Sequence, residues 1–423
     1  MQTAETPDPR TPAEIAAPPN DPYAVLRNRD FVWYLSGRLL ATTGQGMFVM
    51  ALGWELYERT NSAFVLGMVG LTQVVPMVFF TLPAGHLADN CNRQRIIIIS
   101  TLVVAVANLA LAAISSAQAA VHYVYLCLLV TGSARTFLWA ATASFLPMLV
   151  ARRDFPRAVT WNSTVYQFSS IAGPALAGIL LHALHRAAWI YGLNALASVA
   201  FCGFISRVRH AHVVPQREKM SVAALLTGFG FVFQNRIILG IITLDLFAVL
   251  LGGATAILPV YAKDILRVGP QALGWLQAAL PAGSILCGFL LAHRPPLQRA
   301  GRALMWAVAI YGVATIGFGL SRWYWLSLLM LVTAGAADNV SVVVRHTLVQ
   351  MLTPDDKRGR VSAVNNLFIG TSNELGEFES GMMAHWFGPV FAAVSGGVGA
   401  LLVVLGVAWI WPEIRKYGRL DAH

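Results

Sequence analysis

Long apolar segments alternate with short polar turns along almost the whole chain. Each apolar segment has the ~20 residues that a helix needs to cross the hydrocarbon core of a bilayer. The pattern predicts twelve membrane-spanning helices, an even number that places both termini on the same side. The predicted spans are Phe31–Tyr57, Ala63–Leu87, Ile96–Ser115, Val121–Leu149, Trp161–Leu184, Ala188–Ser206, Ile237–Tyr261, Ala272–Ala292, Ala303–Leu320, Trp323–Met351, Val361–Trp386 and Pro389–Trp411.

The basic residues indicate which side of the membrane each turn faces. The turn between the second and third spans, from Gly85 to Arg95, is short and charged, so it must lie at a membrane surface. Most arginines and lysines fall on the side of this turn, and few fall on the other. By the positive-inside rule this side is cytoplasmic, and both termini are therefore inside the cell.

The longest turn divides the chain into two halves of six spans each. It covers residues 207–236, begins with basic residues and continues with an apolar run typical of an amphipathic helix on the inner leaflet. We predict six-helix bundles over residues 26–206 and 237–411, joined by this cytoplasmic linker. Residues 1–25, whose first part is rich in Pro, Ala, Thr and acidic residues, are predicted to be a disordered cytoplasmic tail. Residues 412–423 form a second cytoplasmic tail.

The two halves also resemble each other in sequence. Leu128–Arg135 in the fourth span is echoed by Met330–Ala337 in the tenth. Val159–Ser163 has a similar echo at Val361–Asn366, at the same offset along the chain. Two related halves with a central site between them are the architecture of a transporter that works by rocking.

Composition narrows the functional class. Apolar residues make up 57% of the 423 residues and charged residues 12%, about half of the ~25% that is usual in soluble proteins. The net charge of +10 is spread over short turns, which favours a membrane surface over nucleic acid as the partner. The four cysteines lack metal-ligand spacing, and no phosphate-binding G-x-x-x-x-G-K-[ST] loop occurs. We therefore expect no metal, nucleotide or other cofactor.

The turn between the second and third spans follows the pattern G-x-L-A-D-x-x-x-R-x-[RK] and resembles the signature loop of the major facilitator superfamily. The resemblance implies an all-α integral membrane protein with twelve transmembrane helices in two pseudo-symmetric six-helix bundles. It also implies a gating role for Gly85, Asp89, Arg93 and Arg95. Asp89 is then expected to meet the start of the eleventh span, near Arg360 or Val361.

A second element points to a branch of that superfamily. Gly173, Pro174 and Gly178 in the fifth span are similar to the G-P-x-x-G-G element of its exporters. Gly132–Phe137, in the fourth span, is similar to the branch that contains the enterobactin exporter and related secretion-type permeases. The resemblance implies export of a small organic molecule, such as a siderophore, a drug or a similar secreted metabolite.

Acidic residues within the spans are candidates for proton coupling. A charge in the bilayer costs ~2.5–3.5 kcal/mol on insertion scales, so a charged residue there indicates a functional position. Glu374 and Glu377 share one face of the eleventh span. Two acids on one face do not easily ionise together, which favours a proton site. Asp245 in the seventh span is either a proton carrier or one member of a static ion pair between helices.

Four further charged residues are candidates for the substrate cavity or for charge pairs within it. Arg135 is too central in the fourth span to reach an interface, so we expect it to pair with a carboxylate or with an anionic substrate group. Arg38 in the first span either lines the cavity or extends its charge to the interface. Asp338 and Arg345 in the tenth span are expected to pair with neighbouring helices.

The favoured hypothesis is a monomeric, proton-coupled transporter and not an enzyme. Its partners are a small-molecule substrate, protons and the lipid bilayer of a bacterial inner membrane. An importer of the same fold, or a receptor that has lost transport, remains an alternative. A membrane enzyme such as an acyltransferase would need a His-x-x-x-x-Asp cluster, which the sequence does not contain.

Overall fold

The computed structural model describes residues 23–209, 229–253, 255–294, 299–354, 357–416 and 418. Over these ranges the chain forms twelve long α-helices and no strand. The helices are α1 (Arg29–Thr60), α2 (Ala63–Asn90), α3 (Arg93–Ser116), α4 (Val121–Leu149), α5 (Phe155–Leu184), α6 (Ala187–Ser206), α7 (Arg236–Gly252), α8 (Pro270–Ala292), α9 (Ala300–Leu320), α10 (Tyr324–Leu352), α11 (Arg358–Phe387) and α12 (Pro389–Ile410). Most of the predicted N-terminal tail and linker helix, and the end of the C-terminal tail, lie outside the described residues.

Nine of the described helices, α2–α6, α8–α10 and α12, are long and apolar enough to cross a membrane. Because helices alternate in direction, the bundle has two ends. We name them the Arg93 end, where α2 joins α3, and the Tyr57 end, where α1 joins α2. Large apolar side chains such as Val106, which lies near the middle of α3 and is 66% exposed, cover the outside between these ends, as the hydrocarbon of a bilayer requires.

The seventh helix is interrupted, although its sequence predicts a continuous span over Ile237–Tyr261. α7 ends at Gly252, and the chain is helical again only over residues 258–265. The reason is the close approach of α11: a Cβ atom on Gly253 would lie 2.9 Å from the carbonyl carbon of Gly376. α7 and α11 thus pack backbone to backbone at the break.

Asparagine caps begin α1 and α7 in the same way. The side chain of Asn28 accepts hydrogen bonds from the backbone N–H groups two and three residues later, at 3.0 and 3.3 Å. Asn235 does the same at 3.2 and 3.1 Å. Such caps satisfy amides that a helix start leaves free. Since α1 and α7 open the two halves, the shared cap is a structural trace of the repeat.

The helices pack as two six-helix halves with equivalent internal contacts. In the first half, α1 packs against α5 and α6, α3 against α4 and α6, and α2 against α4. In the second half, α7 packs against α11 and α12, α9 against α10 and α12, and α8 against α10. The halves meet where α2 packs against α11 and α5 against α8. The predicted pseudo-symmetric fold is confirmed.

Two pairs of glycines bring the halves into backbone contact. A Cβ atom on Gly67 of α2 would lie 3.1 Å from the Cα atom of Gly381 in α11, and one on Gly274 of α8 would lie 3.1 Å from Gly178 Cα in α5. Small residues at helix contacts allow this close approach within a membrane. Both pairs lie towards the Tyr57 end, so the halves are tightly joined there.

We expect Gly67→Leu to destabilise the protein, because overpacking of this kind costs ~1–3 kcal/mol. The measurement is thermal unfolding of the detergent-purified protein, followed by tryptophan fluorescence. Gly192→Leu in α6 is the control, since a Cβ atom at Gly192 would meet nothing within 4 Å. An equal loss of stability in both variants would contradict the close contact at Gly67.

Candidate functional site

Arg135 is held in the middle of the bundle by a neighbour from another helix. Its Nη1 atom donates a hydrogen bond to Oε1 of Gln73 in α2, at 2.9 Å. Gly132, one turn earlier in α4, allows the two helices to meet: a Cβ atom there would lie 2.9 Å from Pro76 Cγ. The Arg135 side chain is therefore fixed against α2.

Glu374 and Glu377 approach this pair from the second half. A Cβ atom on Gly70 of α2 would lie 2.9 Å from Glu377 Cβ, so α2 and α11 are in close contact at this level. The Arg135 guanidinium lies within Coulombic range of both carboxylates. The Oε2 atom of Glu374 is buried and has no hydrogen-bond partner.

We name Gln73, Arg135, Glu374 and Glu377 the central cluster. It joins α2, α4 and α11, and so it bridges the two halves of the molecule. Arg135 is hydrogen-bonded to Gln73 and lies within Coulombic range of the two carboxylates, and its pairing with a carboxylate or an anionic substrate group stays a prediction. The cluster thus holds one cation, one amide and two acids, an arrangement that can take up a proton or a second positive charge.

Asp245 and Arg345 form an ion pair between α7 and α10. Their side chains are only 10% and 3% exposed, so each carboxylate or guanidinium depends on the other for compensation. The pair joins two helices, and whether Asp245 also carries a proton stays a prediction. It also gives Arg345 the partner on a neighbouring helix that we expect.

Asp338 lies apart from that pair, although it shares α10 with Arg345. It lies within Coulombic range of Tyr311 in α9. The Tyr311 hydroxyl donates to the carbonyl oxygen of Gly252, at 2.8 Å, where α7 ends. The pairing of Asp338 with a neighbouring helix stays a prediction.

Arg38 lies in α1 beside Tyr34, one turn earlier. Its Nε atom is buried and has no hydrogen-bond partner. Tyr34 packs against Phe145 of α4, with the ring centroids 6.1 Å apart. The structure thus places the Arg38 side chain partly inside the first half, and its role stays a prediction.

Arg93 ties the turn between α2 and α3 to the rest of the first half. Nε of Arg93 donates to the Ala88 carbonyl oxygen at 2.9 Å, and Nη1 lies 2.9 Å from Sδ of Met148 in α4. Gly85 is buried within α2. Arg95 is exposed, and its backbone N–H donates to the Asn92 cap at 3.2 Å.

Asp89 lies in the last turn of α2 and is exposed. Leu82, seven residues earlier and therefore on the same helix face, packs against an apolar cluster that contains Val361 and Val364 of α11. The face of α2 that carries Leu82 is thus directed towards the first turns of α11, and the contact of Asp89 with α11 stays a prediction.

The exporter-type element of α5 makes two close contacts. A Cβ atom on Gly173 would lie 2.8 Å from Gly46 Cα in α1. One on Gly178 would lie 3.1 Å from Gln271 Cα in α8, and Pro174 lies buried between them. The element therefore joins α5 to its own half and to the other half.

The sequence analysis missed a group of contacts at the Tyr57 end. Tyr57 donates a hydrogen bond to Asp264, which follows the break in α7. Beside it, Lys263 donates to Asn61 at 2.7 Å, and its ammonium lies 5.4 Å from the Tyr57 ring centroid. These contacts link the first half to the second. No sequence signal identifies them, because the partners lie about two hundred residues apart.

A buried acid in α1 was also missed. Glu55 accepts a hydrogen bond from the Tyr191 hydroxyl at 2.6 Å and pairs with Arg59 at 3.3 Å. The spacing of four residues between Glu55 and Arg59 was a usable signal, since side chains so spaced are neighbours on a helix. Among the residues that the structure describes, no His, Cys, Asp or Glu side chains form a group that could hold a metal ion.

Comparison with known proteins places this geometry in a family. The model of the Major Facilitator Superfamily matches residues 34–377. The chain belongs to the major facilitator superfamily. It is therefore a multi-pass membrane protein from a family of transporters for small molecules.

Similar proteins agree with the assignment. The chain is 24% identical to the enterobactin exporter EntS of Shigella boydii serotype 4 over 383 residues, which cover 90% of this chain and 91% of that protein. It is 22% identical to EntS of Escherichia coli O1:K1, again with 90% and 91% covered. The enterobactin-exporter resemblance is confirmed at this level of identity.

Solved structures show the same fold. The nucleoside transporter NupG has a TM-score of 0.69 at 16% identity, covering 92% of this chain and 99% of its own. A bacterial homolog of the human lysosomal transporter Spinster has a TM-score of 0.72 at 13% identity, with 93% and 99% covered. At these identities the likeness concerns the fold alone.

We expect Arg345→Leu to destabilise the protein by ~3–5 kcal/mol, because it leaves the Asp245 carboxylate buried without its counter-charge. Replacing both residues, as Asp245→Leu with Arg345→Met, should recover most of this loss. The measurement is thermal unfolding in detergent.

A matched control is Arg236→Gln, which removes a pair with Glu413 whose side chains are 69% and 45% exposed. Exposed pairs contribute little, so this variant should unfold like the wild type. A single Arg345→Leu variant that is no less stable than this control would refute the buried pair.

Proposed function

We propose that the protein is a secondary active transporter that moves a small organic molecule out of the cell by alternating access, as a proton antiporter. The observation that carries the proposal is the central cluster, where Glu374 and Glu377 of one half face Arg135 of the other. A nearby cation favours an ionised carboxylate, and an apolar surrounding favours the protonated form. If the halves move relative to each other, these carboxyls gain and lose a proton.

Two features support export as the direction. The Gly173–Gly178 element of α5 is of the type found in exporters of the family. The curated relatives that cover 90% of the chain are called enterobactin exporters. A siderophore, a drug or a similar secreted metabolite is therefore the proposed class of cargo.

The proposed location is a bacterial inner membrane, with the Arg93 end and both termini in the cytoplasm. The support is the excess of basic residues in the turns at the Arg93 end. In this orientation the linker over residues 207–236 lies on the cytoplasmic surface, and the two bundles extend over residues 26–206 and 237–411. The protein is proposed to act as a monomer.

Alternating access requires that each end opens in turn. At the Tyr57 end, the Tyr57–Asp264 and Asn61–Lys263 contacts and the glycine pairs must separate for the site to open outward. At the Arg93 end, Asp89 at the end of α2 and the first turn of α11 form the corresponding contact. The ion pair Asp245–Arg345 lies within one half and need not break.

The first test compares metabolites in cells and medium between a deletion strain and the wild type, under iron limitation and in rich medium. We expect one compound to be retained in the deletion cells and depleted from their medium. A plasmid with the wild-type gene should restore export, whereas Glu374→Gln with Glu377→Gln should not, because it removes both candidate proton carriers.

Glu379→Gln is the matched control, since this acid lies on another face of α11 and its Oε2 atom accepts a hydrogen bond from the Ser380 hydroxyl at 3.4 Å. The opposite shift, with the compound depleted from deletion cells, would make the protein an importer. Full export by the double glutamine variant would refute coupling through these carboxylates.

We expect Asp89→Asn to reduce the transport rate at least several-fold while leaving the amount of protein in the membrane unchanged. The substitution keeps the size of the side chain and removes the charge proposed to stabilise the contact with α11. The measurement is initial transport rate, normalised to the amount in the membrane by immunoblot. Normal transport at normal expression would contradict the gating role.

A further inference from the structure

We propose that the central cluster binds the transported molecule as a lipophilic organic cation, which replaces a proton at Glu374 and Glu377. The inference rests on the proposed proton antiport and specifies its substrate class. A cation site differs from the simpler expectation that an arginine within the membrane binds an anion.

The charge balance of the cluster is the first argument. Arg135 is already bound by Gln73 at 2.9 Å and has the carboxylates of Glu374 and Glu377 within Coulombic range. With both acids ionised the cluster carries a net negative charge, and Oε2 of Glu374 still lacks a hydrogen-bond partner. The central cluster therefore lacks a further positive charge or hydrogen-bond donor.

No neighbouring helix supplies that charge within the described residues. The helices packed against α11 are α2, α7 and α12. α12 has no titratable side chain, and the titratable groups of α2, His86 and Asp89, lie at its Arg93 end. In α7, Arg236 is at the helix start and Asp245 is bound to Arg345. Beyond Arg135, α4 offers only His122, Tyr123, Tyr125 and Cys127, all nearer the Tyr57 end.

The logic of antiport is the second argument. Proton and substrate must compete for one group if they are to move in opposite directions. An anion bound to Arg135 would take the counter-charge away from the two carboxylates and favour their protonation. That would carry anion and proton in the same direction. A cation bound to the carboxylates would instead expel a proton, as exchange requires.

The side chains between the cluster and the Arg93 end give the third argument. Phe80 lies seven residues after Gln73, on the same face of α2, and its ring lies 5.8 Å from that of Phe137 in α4. Met77 reaches α11, where a Cβ atom on Gly370 would lie 3.1 Å from its Sδ atom. Aromatic rings attract cations, and a thioether adapts to apolar groups of varied shape.

The test uses two probes of nearly the same shape and opposite charge, tetraphenylphosphonium and tetraphenylborate. Each is added to the purified full-length protein in detergent, in weakly buffered solution with a pH-indicating dye. We expect tetraphenylphosphonium to bind and release protons. It should bind at least about tenfold more tightly than tetraphenylborate, a difference of ~1.4 kcal/mol.

Variants distinguish binding of a probe at the central cluster from its adsorption to the detergent micelle. Proton release should disappear in Glu374→Gln with Glu377→Gln and persist in Glu379→Gln. Carboxylate-dependent binding of tetraphenylborate with proton uptake would overturn the cation class and leave proton coupling at these acids intact. Proton release that persists in the double variant would overturn both the cation site and the proposed coupling. Failure of both probes to bind would overturn the lipophilic cation as substrate class.

Discussion

An ionised side chain inside a bilayer loses the water that stabilises it, so each buried charge must be compensated by the protein. Asp245 and Arg345 compensate each other within the second half. Glu55 is compensated by Arg59 and by the Tyr191 hydroxyl. The central cluster differs, because two carboxylates share one arginine there. In the proposed mechanism a mobile positive charge completes the balance at this position, which lies between the two halves.

The backbone follows the two-fold repeat closely, whereas the charges break it. Arg38 and Asp245 each lie ten residues after the asparagine cap of α1 and α7, respectively, so one position carries opposite charges in the two halves. Arg135 falls at the position of Ala337 in the sequence repeat. The repeat therefore extends to the helix packing, whereas the charged residues of the candidate site differ between the halves.

Hydrophobic patterning predicts most of the fold, because the helices of a membrane bundle are set by local apolar length. Contacts between segments that are distant in the chain could not be predicted from this patterning. Arg135 stood out as a buried charge, but its partner Gln73 lies 62 residues earlier and looks like many other polar residues of the spans. The end of α7 at Gly252 could not be predicted either. The apolar run continues past Gly252 in the sequence, and the cause is the approach of Gly376 from α11.

The geometry of α2 and α11 connects the central cluster to the Tyr57 end. Gly67 and Gln73 lie on one stretch of α2, while Gly381 lies one turn from Glu377 in α11. Separating the halves at the Gly67–Gly381 contact must therefore move the two carboxylates away from Arg135. Coulombic attraction falls with distance, so the ionised acids favour the joined state and the protonated acids favour separation. With the Tyr57 end facing outward, protons would enter the separated state from outside, and the joined state would release them to the cytoplasm and accept a cation. This order of events is the one that the proposed export requires.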